Sequence, residues 1–94
     1  MRYVVEWSHQ ALSELERLRS YDVPPVAAAT AALRDQATTQ TRNRKPLFDL
    51  PFPHPNPTWE LRVRSFRVLY AVEGEKVVIL RVILKGRRTT LEAL

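Results

Sequence analysis

From Trp59 to Leu84 the chain reads WELRVRSFRVLYAVEGEKVVILRVIL: three runs of strand length, separated by Arg64–Ser65 and by an acidic turn around Gly74. Connections this short allow only antiparallel pairing of neighbouring runs, because a parallel pair needs a crossover of a dozen residues or more. Strands are therefore expected over Thr58–Val63, Phe66–Glu73 and Lys76–Leu84, and the rest of the fold must accommodate this meander.

Upstream, Arg2–Trp7 alternates and is rich in β-formers, which predicts a first strand. Ser8 is placed to cap a helix over His9–Ser20, whose stripe is Ala11, Leu12, Leu15 and Leu18. Pro24–Pro25 suits the first turn of a second helix carrying Val26, Ala29, Thr30, Leu33 and Ala37. Between Thr41 and Pro57 five prolines deny donors to any central strand, and no regular structure is expected there, although Leu47, Phe48, Leu50 and Phe52 suggest that part of it packs down. Thr89 and Glu92 could cap a short terminal helix. The expected order is β-α-α-β-β-β(-α): a single α+β domain over residues 1–94, with two helices on one face of a mostly antiparallel four-stranded sheet.

Ninety-four residues hold one modest core. The absence of cysteine excludes disulfides, thiolate metal sites and a cysteine nucleophile, and is compatible with a reducing compartment. The longest apolar run is too short to span a bilayer, and the N-terminus lacks the apolar stretch of a signal peptide, so a soluble cytoplasmic domain is expected. Charge is unevenly placed. Residues 1–41 carry four basic and five acidic side chains, whereas residues 42–94 carry eleven and five, with Arg outnumbering Lys eight to three. Such a balance suits a polyanion or an acidic protein partner as well as a solvated surface.

Sorting each strand by parity locates that charge. Trp59, Leu61 and Val63, then Phe66, Val68, Tyr70 and Val72, then Val78, Leu80, Val82 and Leu84 are expected against the helices. Arg62, Arg64, Arg67, Arg81, Lys85 and Arg87 then share the other face with Glu60 as its lone strand carboxylate. Six cations on one face must be wet or meet an anion. Leu69, Val77, Ile79 and Ile83 among them imply that something apolar also covers that face.

The segment WELRVRSFRVLYAVEGEKVVILRVILKGRRTT resembles the C-terminal half of RelE/ParE-type toxins at Trp59, Leu61, Arg62, Val63, Phe66, Arg67, Val68 and Tyr70, and RKPL at Arg44–Leu47 resembles the segment preceding that hairpin. The resemblance implies the toxin of a type II toxin–antitoxin pair, neutralised by an antitoxin. RelE-like members cleave messenger RNA on the ribosome without a metal, and ParE-like members poison DNA gyrase. Carried across, Arg67 matches the hairpin arginine that contacts the scissile phosphate. Arg87, with Lys85 or Arg88, matches the basic group after the last strand, and Lys45 falls where some branches hold an acid–base residue.

These give Arg67, Arg87, Lys85 and Lys45 as catalytic candidates and Arg62, Arg64, Arg81, Arg88 and Arg44 as RNA-binding ones, with no metal or cofactor. The chain ends TTLEAL, without the terminal Tyr or His common in the nucleases, and has Thr58 and Glu60 where they have lysines. His54 is read as an exposed loop residue, His9 as a surface one, and Trp7, Trp59 and Tyr70 as core. An mRNA endonuclease is the first expectation; a gyrase inhibitor, or a degenerate toxin that mainly binds its antitoxin, is the alternative.

Overall fold

The computed structural model describes residues 2–48 and 56–84. In chain order these form strand β1 (Val4–Trp7), helices α1 (His9–Glu16), α2 (Val23–Ala31) and α3 (Leu33–Gln36), and strands β2 (Arg44–Leu47), β3 (Thr58–Val63), β4 (Phe66–Glu73) and β5 (Lys76–Leu84). The predicted terminal helix, with Thr89 and Glu92, lies outside the described residues.

The α+β class holds, but the sheet has five strands rather than four, in the order β1-β5-β4-β3-β2. The added strand is β2, inside the stretch expected to be irregular. It pairs antiparallel with β3, Pro46 opposite Trp59. As an edge strand it can hold a proline, whose missing N–H costs nothing on the unpaired side. β1 pairs in parallel with β5, Val5 opposite Val77. The meander has the expected spans: Val63 and Phe66 close one two-residue turn, and Glu73 and Lys76 the other. Gly74 takes φ +61° in the second turn, a conformation that costs glycine nothing.

Ser8 caps α1 as expected, its Oγ accepting from the Ala11 N–H at 3.1 Å, and its hydroxyl lies 3.1 Å from the Leu80 carbonyl. The helix is shorter than predicted, ending at Glu16. The second predicted helix divides at Ala32 into α2 and α3, yet Val26, Thr30, Leu33 and Ala37 are all buried as its stripe required.

The core lies between the helices and one sheet face. It gathers Ala11, Val26, Leu33 and Ala37 against Leu61, Val63, Phe66, Val68, Tyr70, Val77, Ile79 and Val82. Tyr70 is fully buried, stacks on Trp59 (6.5 Å, 12°) and donates its hydroxyl to the Ala37 carbonyl at 2.6 Å. One parity assignment is corrected. Leu69 faces Arg81 but Tyr70 faces Ile79, so Leu80 is an extra residue on β5. Such a bulge restarts the alternation. Val77 and Ile79 therefore enter the core, where Val78 and Leu80 were expected, whereas Val82 and Leu84 keep their assigned side, Leu84 exposed opposite Phe66.

No helix among the described residues is long and apolar enough to cross a membrane.

Candidate functional site

The sheet face away from the helices carries Lys45, Glu60, Arg62 and Arg67. Register places Lys45 of β2 opposite Glu60 of β3, and Arg62 of β3 opposite Arg67 of β4. Glu60 and Arg67 are thus diagonal neighbours across a tight hairpin, close enough for long side chains to meet. They do meet: Arg67 Nε lies 3.1 Å from Glu60 Oε1. Lys45 Nζ approaches the other carboxylate oxygen at 3.6 Å.

The environment is dry. Glu60 is 3% exposed and Arg67 7%. On the same face Leu69, Ala71 and Ile83 are buried too. Arg67 Nη1 donates to the Phe66 carbonyl at 3.2 Å, while its Nε–H, though at ion-pair distance from Glu60, is not aimed at it well enough for a hydrogen bond. Burial pushes the Arg67 guanidinium below its ordinary pKa, Arg62 pushes the same way, and Glu60 opposes them. A buried guanidinium and carboxylate stand or fall together, because either one alone would be an uncompensated charge.

The expectation of six open cations on this face is corrected. Arg67 is enclosed with Glu60. Arg81 is turned to α1, where Glu14 accepts from its Nε at 3.0 Å and its Nη2 at 2.9 Å, and Glu14 also accepts from the Val82 N–H at 2.9 Å. That carboxylate covers a part of the β5 margin which the short β1 does not reach. Arg64 is exposed in the β3–β4 turn at φ 54°. Arg44 lies on the helix side, 6% exposed, donating to the Thr39 carbonyl at 3.1 Å and to Gln36 Oε1 at 3.2 Å, where the C-terminal end of α3 favours a cation. Arg62 and Lys45 remain open to solvent, Lys45 with a side chain 56% exposed. Lys85, Arg87, Arg88 and His54 lie outside the described residues.

The sequence alone left Arg62 and Arg67 either open to a phosphate or paired with Glu60; the structure gives Glu60 to Arg67 and Lys45. The signal was present in the hairpin: counting outward from the two-residue turn puts Arg62 across from Arg67 and Glu60 one diagonal step away. Nothing local marked Glu14 as the partner of Arg81, a separation of 67 residues. Tyr70, whose phenol is pushed far up chiefly by burial, is a fixed hydrogen-bond donor rather than a proton shuttle.

A family model described as the ParE toxin of the type II toxin–antitoxin system parDE matches residues 5–89. Among solved structures, the chain is similar to the toxin–antitoxin complex RelBE2 from Mycobacterium tuberculosis, at 26% identity and a TM-score of 0.71, covering 87% of this chain and 96% of that one. It shares its fold with the archaeal RelE–RelB complex from Pyrococcus horikoshii (19% identity, TM-score 0.76, 94% and 100% covered). The chromosomal ParDE system of P. aeruginosa has the same fold (15% identity, TM-score 0.67, 90% and 98% covered). Comparison with curated proteins gave no significant match.

Proposed function

Because the chain belongs to the ParE toxin family of type II toxin–antitoxin systems, we propose that it acts as a non-catalytic toxin that inhibits DNA gyrase and is held silent by a cognate antitoxin. The observation that carries this reading is the Glu60–Arg67 pair. Metal-free RNA cleavage needs preorganised cations facing the phosphate on which charge develops. Here the hairpin guanidinium already faces an internal carboxylate at 3.1 Å and is 7% exposed. The toxin–antitoxin complexes among its structural relatives support the antitoxin partner, and a bacterial topoisomerase target implies a cytoplasmic site of action.

A second reading, the ribosome-dependent mRNA endonuclease, draws on Lys45 and Arg62, which are open to solvent on the same face as Glu60. In that case Arg67, Arg87, Lys85 and Lys45 would act on the phosphate, and Arg62, Arg64, Arg81, Arg88 and Arg44 would hold RNA.

Purified toxin in a gyrase supercoiling assay, with primer extension on messages after induction in cells, separates the two. The proposal expects inhibited supercoiling, DNA-damage signalling and intact messages. It is overturned by A-site cuts that disappear in Lys45→Ala or Arg62→Ala, neither of which is needed to neutralise the core.

A further inference from the structure

A cleft of about 380 Å³ opens where α1 ends, between the α1–α2 turn, the β3–β4 turn and the last residue of β5. It sits on the helix side of the hairpin: Phe66 lines it, while the next residue, Arg67, turns to the opposite face. Its floor is apolar. Leu18 and Phe66 line it from the core side, and Leu84 adds an aliphatic side chain left 66% exposed.

The rim is cationic and partly prebuilt. Arg17 and Arg19 line it just past the end of α1, both exposed. Arg19 Nη1 donates to the Tyr21 hydroxyl at 2.6 Å, and its guanidinium carbon lies 6.0 Å over the Tyr21 ring, which holds in place an aromatic that is 60% exposed. Asp22 also lines the cleft, so two guanidinium groups stand against one carboxylate. Ser65 of the β3–β4 turn forms another wall.

We infer that this cleft is a docking site for an acidic amphipathic segment of a partner protein, and that the partner is the antitoxin. Apolar side chains of the segment would cover Leu84 and fill the floor, with carboxylates meeting Arg17 and Arg19. Tyrosine and arginine around an apolar centre are the residue types that dominate protein–protein affinity. A nucleic acid fits less well: the floor is aliphatic, Asp22 repels phosphate, and one face of the Tyr21 ring is taken by Arg19. The inference rests on the antitoxin pairing proposed above and adds where it happens.

The probe is a candidate cognate antitoxin, a small acidic protein sought in the reading frames adjoining that of the toxin, titrated into the toxin by calorimetry at low and high salt. Leu84→Ser is expected to weaken binding about tenfold at both salt concentrations, as truncation of a buried anchor does. Arg17→Glu/Arg19→Glu is expected to weaken it about 30-fold at low salt and less at high salt. Arg34→Glu, an exposed reversal on α3, is expected to bind like wild type. Amide NMR shifts on complex formation should centre on Ser65 and Leu84, a readout independent of any variant. Tight wild-type binding that all variants retain, with shifts elsewhere, overturns the inference while leaving the antitoxin reading intact. Wild-type toxin that binds no acidic partner sinks both.

Discussion

Arg67 and Glu60 form a nearly dry ion pair, 3.1 Å apart, with side chains only 8% and 4% exposed. Neutralising the carboxylate in Glu60→Gln leaves the Arg67 guanidinium buried without its counter-charge, with Arg62 directly across the hairpin. The expected cost is about 3 kcal/mol of stability, read from the urea midpoint. Pairing it with Arg67→Met should recover about half, because the double variant removes the stranded charge. A double variant whose loss equals the sum of the Glu60→Gln and Arg67→Met losses would show that the pair is not coupled.

Arg64 occupies the left-handed region at φ 54° in the turn between β3 and β4. At ordinary positions glycine is less favourable than alanine because it frees the unfolded chain. Here the order should invert, Arg64→Gly exceeding Arg64→Ala by about 1 kcal/mol, the size of the left-handed penalty for an L side chain. Chemical denaturation of the two variants measures the difference directly.

Glu14 serves two donors at once, the Arg81 guanidinium and the Val82 N–H. Glu14→Ala should cost about 2 kcal/mol, in the range of hydrogen bonds to charged groups. Glu14→Gln retains a carbonyl for the Val82 N–H and should cost less. Hydrogen exchange at Val82 is the local readout, faster in the alanine variant than in the glutamine one.

The Tyr70 phenol has its pKa raised, chiefly by burial. A raised folded-state value means that the native protein holds this proton more tightly than the unfolded chain does. Its contribution is fully present below the unfolded value of about 10 and is lost as pH climbs beyond that. Stability measured from pH 8 to 11 should therefore fall more steeply for wild type than for Tyr70→Phe. At neutral pH the same variant should be less stable by about 1 kcal/mol, from the lost bond to the Ala37 carbonyl.

Much of the fold was legible before any coordinates. The three strands of the meander, the Ser8 cap and the stripe from Val26 to Ala37 are local patterns, each written within a few residues. The hidden strand β2 was not: Pro46 and its neighbours read as loop, and only pairing with β3 gives them a partner. Half of β5 was assigned to the wrong face because a bulge at Leu80 leaves no mark in an unbroken apolar run.

The candidate site divides the same way. Charge excess and its concentration in residues 42–94 are properties of the chain alone, and parity brought Arg62 and Arg67 to one face correctly. What each arginine does there was decided by distant groups: Glu14 of α1 takes Arg81, and Gln36 with the Thr39 carbonyl takes Arg44. Alternation with a period of two tells a side chain which way to point, since that follows from backbone geometry over neighbouring residues. Whether it arrives in water or against a carboxylate depends on segments tens of residues away, and those meet only when the helices and sheet close on one another.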